Sequence, residues 1–372
     1  MPQVFKLCIC VGLIMFVDFL LKVSEPFFKR TRNTQRGKDF KFPRYSMHLK
    51  RSSSNKCKSP RLWRGLQITE SPSSITPSFF AVGKEDRHTR MWIEYDSVHY
   101  YLILKFIKHL KNPHAFHMVD VGGNHGFYSL YASQLGLRVH YFEPQIELFD
   151  RACAAMQLNG FQEIQMNLAG VGSYSGAFRV VGEEGGAYLS KCIHDIGSTQ
   201  DCINVTTLDE YFSNGINNIA FLKIDNEGWE ILALLGGNIL LNGKTTEGRA
   251  KVGSLLIEIA PSRWKSRSNV GLNEGTNVLV SLVTIGYETH LITHSNLHCP
   301  HNFTTKLLEE RSQSQGPCSS IGEAGKCLID SKITRVHSWE INNLVKEMVA
   351  SETSTPGISC NLWLVHSTWL QG

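Results

Sequence analysis

The chain has 372 residues, 42% hydrophobic and 19% charged, the make-up of a folded protein with room for one large domain or two modest ones. Its net charge of +5 is unevenly held: residues 22–64 carry fourteen Lys or Arg against Glu25 and Asp39, a local +12, whereas residues 65–372 carry 23 basic and 30 acidic side chains, a local −7. That mildly acidic bulk argues against nucleic acid as a partner, and no internal repeat points to a solenoid.

Residues 4–21 (VFKLCICVGLIMFVDFLL) are strongly apolar, interrupted by Lys6 and Asp18. Spanning a bilayer takes about 20 apolar residues, so residues 1–24 read as a signal anchor or signal sequence and as the chain's contact with a membrane. No small-x-small cleavage site follows Leu21. Residues 25–80 are rich in Arg, Lys, Ser and Pro, cannot bury enough apolar surface to order themselves, and read as a basic flexible stem. Orientation is contested within the sequence. Lys22, Lys29, Arg30 and Arg32 outweigh Lys6, which would leave the rest of the chain cytoplasmic. Two acceptor sequons, Asn204-Val205-Thr206 and Asn302-Phe303-Thr304, and eight cysteines outside the apolar segment point instead to the secretory lumen, in the manner of a Golgi enzyme. The lumen is the reading adopted.

The remaining chain, 81–372, reads as one α/β domain. Residues 92–110 form an amphipathic helical pattern expected to cover the edge of a sheet. FHMVDV (116–121) is an apolar strand carrying Asp120; Gly122, Gly123, Asn124, His125 and Gly126 form a tight turn; FYSLYASQL continues as a helix. A second strand, VHYF (139–142), ends at Glu143. This is a nucleotide-type βαβ crossover, but its turn reads D-x-G-x-x-x-G and lacks the third glycine of the dinucleotide fingerprint. A carboxylate before the glycines repels phosphate and welcomes an ammonium group, and Glu143 stands where an acidic residue accepts hydrogen bonds from ribose hydroxyls. A ligand with a ribose, a cationic amino-acid part and no phosphate is S-adenosylmethionine.

A helix from Gln145 to Leu158 ends at Asn159-Gly160, and Ile164 to Ala169 is a third strand. Glycine-punctuated segments over 170–190, including GAFRVV, suggest a hairpin added to the sheet, and TLDEYF (207–212) starts like a capped helix. A strand over 219–224 leads through Lys223 to Asp225, with a helix expected to begin near Glu227-Gly228. A fifth strand, SLLIEI (254–259), carries Glu258. Ligands of open α/β sheets sit beyond the carboxyl ends of the strands, so Asp120, Glu143, Asp225, Glu227 and Glu258 converge there. A helix (276–285), a strand (287–293) and a last strand (358–366) close the sheet. Residues 294–357 read as an insertion, a lid or surface appendage with one helical pattern over 339–349.

Each candidate has an ordinary reading beside the functional one. Asp120 bonds its own turn, Glu143 is a strand-end carboxylate, Glu227 in a first helical turn is stabilised by the helix dipole, Lys223 pairs with Asp225 or Glu258, and His125 is a loop residue. Asp225, Asn226 and Glu258 are oxygen ligands of the kind Mg²⁺ accepts, although no metal is needed by the reading adopted. His294, His298, Cys299, His301, Cys318 and Cys327 fit no standard zinc spacing. In a lumenal domain Cys192 pairs with Cys202 and Cys318 with Cys327, leaving Cys153 as a buried free thiol.

Five strings in this order, VDVGGNHGFYSL (119–130), YFEP (141–144) with Asn159 after its helix, TTLDEYF (206–212), FLKIDNEGWEILALLGG (221–237) and LLIEIAP (255–261), resemble the FkbM-type S-adenosylmethionine-dependent methyltransferases. The resemblance covers roughly residues 90–292 and the final strand. It implies a Rossmann-like methyltransferase sheet, mostly parallel with an antiparallel last strand and helices on both faces. It also implies methyl transfer to a hydroxyl-bearing acceptor, the wider family's acceptors including sugars and glycans. Cofactor binding falls to Asp120, Gly122, Gly123, Asn124, Gly126, Glu143 and Asn159. Catalysis falls to Asp225, as base or as orienter of the acceptor, then to Glu258 and Lys223. The rivals are a catalytically silent binding or scaffold protein of the same fold and, more weakly, an oxidoreductase.

Overall fold

The computed structural model describes residues 66–108, 110–183, 186–192, 202–292, 333–351 and 359–369. The expected membrane segment and most of the stem lie outside these residues; among the described residues no helix is long and apolar enough to cross a membrane.

The described chain opens with a hairpin, β1 (Gln67–Glu70) and β2 (Phe80–Gly83), and two helices, α1 (Asp86–Tyr95) and α2 (Ser97–Ile107). Two crossovers follow: β3 (His117–Val121), α3 (Phe127–Gln134), β4 (Arg138–Phe142), α4 (Ile146–Leu158) and β5 (Ile164–Asn167). Next come β6 (Ala169–Val171), β7 (Gly176–Val181), β8 (Tyr188–Lys191), β9 (Ile203–Thr206) and α5 (Leu208–Tyr211). After β10 (Ile219–Ile224) the chain forms α6 (Glu230–Gly236), α7 (Asn238–Asn242), β11 (Val252–Ile259) and α8 (Leu272–Thr284). The last elements are β12 (Tyr287–Ile292), β13 (Ile333–Val336), α9 (Ser338–Ser351) and β14 (Cys360–His366).

The main sheet runs β13-β12-β14-β11-β10-β3-β4-β5. Strands β5, β4, β3, β10 and β11 are mutually parallel, and β14 is inserted antiparallel between β11 and β12. This is the expected Rossmann-like α/β architecture. All six residues of β10 are buried, as a central parallel strand covered on both faces requires. The pleat sends alternate residues to opposite layers. Val119, Leu222 and Ile257 pack with α5, α6, α8 and α9 on one face, and Met118, Phe221 and Leu256 with α2, α3 and α4 on the other.

Several boundaries differ from expectation. The stem ends earlier than residue 80: Ile75 and Phe79 are buried, Tyr131 donates to the Thr76 carbonyl, and Phe80 pairs with Asn159 through its backbone. The helix over 92–110 is two helices meeting at Asp96, because nearly all of α2 is apolar and is drawn onto a face of the sheet, where Phe106 meets Phe221. The third strand leaves the main sheet after Asn167, so the glycine-punctuated hairpin does not extend that sheet; it belongs to a separate one ordered β6-β9-β7-β8. The described end of the expected insertion is integral to the fold: β13 pairs with β12, and α9 buries Ile341, Leu344, Val345 and Met348.

The Cys192–Cys202 disulfide forms as expected and joins the end of β8 to the start of β9. Cys153 is not a free thiol: it and Cys360 are disulfide-bonded. The expected Cys318–Cys327 pair lies outside the described residues.

Candidate active site

Strand pleating assembles the charged cluster. Asp120 on β3 lies beside Lys223 on β10, and Lys223 beside Leu256 on β11, so Glu258, two residues further along, falls next to Asp225. These side chains share the sheet face that carries Met118, Phe221 and Leu256. Lys223 is buried with its Nζ 3.2 Å from Asp225 Oδ2 and 3.7 Å from Asp120 Oδ1, and it donates to the Gly122 carbonyl at 2.7 Å. Ser129 from α3 donates to Asp120 Oδ2 at 2.6 Å. Asp120 Oδ1 has no hydrogen-bond partner.

The turn after β3 is pressed against the end of β10. Gly122 has φ +70°, and a Cβ there would lie 1.7 Å from the Asp225 carbonyl oxygen, so only glycine fits. Asn124 is itself left-handed at φ +50°; its N–H donates to Glu143 Oε2 at 2.9 Å, and Gln145 N–H donates to Glu143 Oε1 at 2.8 Å. Glu143 therefore ties the first turn to the end of β4.

Burial raises Asp120, against Lys223 and the Ser129 hydrogen bond, which lower it. Burial also opposes the charge on Lys223, but Asp225 and Asp120 outweigh it and hold the ammonium above its ordinary range. Asp225 and Glu258 split apart. Burial pushes up both, yet Lys223 and a hydrogen bond from Glu258 hold Asp225 below the carboxylate range, while the facing Asp225 drives Glu258 well above it. Glu258 is thus the member with the higher proton affinity, hydrogen-bonded to Asp225. Burial lifts Glu143 to about 7 despite the two backbone donors.

The model of the methyltransferase FkbM domain matches residues 120–297. No curated protein matches the chain. Among solved structures, an Agrobacterium tumefaciens S-adenosylmethionine-dependent methyltransferase is 10% identical with a TM-score of 0.31, covering 52% of each chain. The precorrin-6y C5,15-methyltransferase of Geobacter metallireducens is 9% identical with a TM-score of 0.28, covering 72% of this chain and 87% of its own. Haemonchus contortus phosphoethanolamine N-methyltransferase 2 is 15% identical with a TM-score of 0.30, covering 75% of this chain and 56% of its own. The present chain thus spans about half the length of the first and third of these. The assignment of the fold stands on this chain's own strand order.

At the carboxyl edge of the main sheet is a cleft of about 580 Å³. Gly122, Asn124, Glu143, Asp225, Asn226 and Glu227 line one side; Ala169, Gly170, Val171, Val180, Ala187, Tyr188 and Leu189 line the other. The second wall is built by the small sheet, and sequence reading missed it; the glycine-punctuated run over 170–190 was its only signal. Of the proposed catalytic residues Asp225 alone lines the cleft, with 35% of its side chain exposed. Lys223 and Glu258 stand behind it. Asp120 is fully enclosed, so a direct contact with a ligand ammonium group is not available to it. Gly123 packs under Tyr141, and Gly126, at φ +78°, opens α3.

Asn159 departs furthest from expectation. Its amide accepts from Phe80 N–H at 2.9 Å and donates to the Phe80 and Ala155 carbonyls, pinning the β1–β2 hairpin to α4 away from the cleft. Glu227 also moves: with φ +59° it lies before α6 rather than in its first turn, and Arg263 and Arg267 both pair with its Oε2. Glu230 takes the helix-start position, accepting from Gly228 N–H at 2.7 Å. Carboxylate oxygens of Asp225, Glu227 and Glu258 approach within 4.8 Å of one another, and Arg263 and Arg267 pair with Glu227.

Proposed function

We propose that the domain transfers a methyl group from S-adenosylmethionine to a hydroxyl oxygen of a sugar or glycan, within an oxidising secretory compartment and tethered to its membrane by residues 4–21. The charge of the cleft supports the cofactor reading. Among the described residues its lining includes Glu143, Asp225 and Glu227 and no Lys, Arg or His. Glu227 is paired with Arg263 and Arg267, so it is Asp225 and Glu143 that offer acceptors to a ligand; they disfavour a pyrophosphate and suit a sulfonium bearing an amino-acid ammonium group. The residues fit such a ligand. Glu143 lines the cleft, held by the Asn124 and Gln145 N–H groups and by the Gln145 side chain, and there accepts from ribose hydroxyls. Gly122 lets the turn lie flat against the cleft, and Asp120 acts one step back by fixing Lys223.

When bound, the cofactor supplies a methyl group made electrophilic by its sulfonium. The protein's part is alignment of the acceptor and exclusion of water. Asp225 accepts a hydrogen bond from the acceptor hydroxyl and takes its proton late, as the O–CH₃ bond forms. A protonated ether is a far stronger acid than a carboxylic acid, so the lowered proton affinity of Asp225 suffices. Glu258 holds Asp225 by its hydrogen bond, and Lys223 keeps it charged. The compartment reading draws on the disulfides at Cys153, Cys192, Cys202 and Cys360.

Calorimetric titration with S-adenosylmethionine and with NADH tests the reading. Wild-type protein is expected to bind the first and not the second, and Glu143→Ala to weaken binding about 10-fold or more. Folded wild-type protein that takes up no S-adenosylmethionine would leave the silent scaffold as the surviving account.

A further inference from the structure

We propose that Asn204 is an N-glycosylation site, so that the small sheet beside the cleft carries an oligosaccharide. Asn204, Val205 and Thr206 lie together on β9. Strand alternation divides them: Val205 is buried against Phe178, Leu189 and Trp229, while Asn204 and Thr206 share the opposite face and Asn204 is exposed. Its partners across both neighbouring strands are alanines, Ala177 on β7 and Ala169 on β6. Paired residues share a face, so the amide is flanked by methyl groups and open space. A bulky, solubilising modification needs that setting.

The second observation is chemical and lies two residues away. Cys202 is joined to Cys192, and Cys153 and Cys360 are in disulfides as well. Such bonds form and persist in the endoplasmic reticulum lumen and beyond, and the cytosol keeps thiols reduced. A chain that acquires them is exposed to the machinery that modifies Asn-x-Thr. In that step Asn204 Nδ2 attacks the anomeric carbon of an oligosaccharide linked to a lipid diphosphate. The N–C bond forms as the C–O bond breaks, the lipid diphosphate leaves with the bonding pair, and the amide proton passes to a base of the transferring enzyme. Nothing is oxidised or reduced. The inference rests on the compartment part of the proposed function and is independent of methyl transfer.

The test is site occupancy in the full chain made by secreting eukaryotic cells. Release with peptide-N-glycosidase in ¹⁸O water should convert Asn204 to heavy-oxygen Asp in the peptide mass spectrum. Asn204→Gln and Thr206→Ala should each lose one glycoform step on a gel, and Thr206→Ser, which keeps the sequon, should retain it. Recovery of unmodified Asn204 from wild-type protein whose Cys192–Cys202 bond is intact would overturn the site alone. Protein with free thiols and no glycan at any sequon would remove the compartment reading and this site together, leaving the cofactor titration to judge methyl transfer.

Discussion

Two polar clusters are buried in the same sheet and are built on opposite principles. At the carboxyl ends of β3, β10 and β11 full charges are set side by side and compensate one another, with Lys223 between Asp120 and Asp225. Asp120 Oδ1 and Asn226 Oδ1 are left without hydrogen bonds, and Asn124 and Glu227 hold left-handed backbone. Toward the other side lies a neutral chain: Asn167 donates to Tyr211, whose hydroxyl is 3.0 Å from His140 Nδ1, and His140 Nε2 is 2.9 Å from His117 Nδ1. One tautomer set satisfies that run, with Tyr211 donating to His140 and His140 to His117. Burial, reinforced by His117, depresses His140 to about 3; burial and then Arg138 lower His117. The closed cluster has little left to offer a ligand. The charged cluster keeps an unused acceptor on a residue of the cleft lining, Asn226 Oδ1, and left-handed backbone at Asn124 and Glu227, the marks of a place that binds something.

Lys223→Met should have the largest effect, because it strands Asp120 as an uncompensated buried charge; a loss of about 3–5 kcal/mol in urea unfolding is expected. A loss below about 1 kcal/mol, the scale of an exposed ion pair, would mean that charge does not hold this end of the sheet. Gly122→Ala adds a methyl group against the Asp225 carbonyl and imposes left-handed strain, together about 3 kcal/mol, with loss of cofactor binding in the same calorimetric assay. Asp225→Asn should slow methyl transfer roughly 100-fold while cofactor affinity changes little; parallel loss of both would make Asp225 a cofactor ligand instead.

Acidity separates the two clusters further. His140 is neutral in the folded protein down to about 3, whereas the unfolded chain binds a proton near the ordinary histidine value. Its stabilising contribution is therefore complete above that value and declines as the pH falls, by roughly 2 kcal/mol between about pH 7 and about pH 5. Glu143 and Glu230, both lifted to about 7 by burial, act in reverse: the folded state keeps protons that the unfolded chain has released, so their contribution grows on acidification and is lost as pH rises through about 7. The two glutamates together outweigh His140 over that range, so the wild-type Tm should rise on acidification from about pH 7 to about pH 5 and His140→Gln should steepen that rise; an unchanged slope would show that the histidine chain makes no contribution to it. The smallest effect is expected for Thr207→Ala, which removes the hydroxyl that accepts from Glu210 N–H at the start of α5; about 1 kcal/mol, read from thermal melts, would register the cap that presents Tyr211 to His140.

The charged cluster was largely legible because period-two alternation and strand-end position fix which side chains meet: Asp120, Glu143 and Asp225 can be placed from the pleat and the βαβ order alone. Depth is not encoded that way. Whether Asp120 touches a ligand or stands behind Lys223 depends on long-range packing of β3 on β10. Asn159 sits after its helix as expected, yet its amide is captured by Phe80, from a stretch whose Ser and Pro content reads as linker. The second wall of the cleft was hidden because a chain leaving one sheet after Asn167 and entering another at Ala169 looks like a single apolar run. The thiol of Cys153 reads as a small buried apolar group; only the folded chain shows it oxidised.

The fit of Gly122 against the end of β10 also bears on how the protein comes into being. The ammonium group that secures the turn belongs to a residue 101 positions further along the chain. Both walls of the cleft lie between these points in sequence or depend on them, and no local hairpin or helix can preform the contact. Closing so long a loop is entropically expensive and belongs late on a folding pathway. During synthesis the growing chain stays blind to its ligand until β10 has emerged and docked beside β3, so ligand uptake by a nascent or refolding chain reports the moment at which the centre of the sheet is complete.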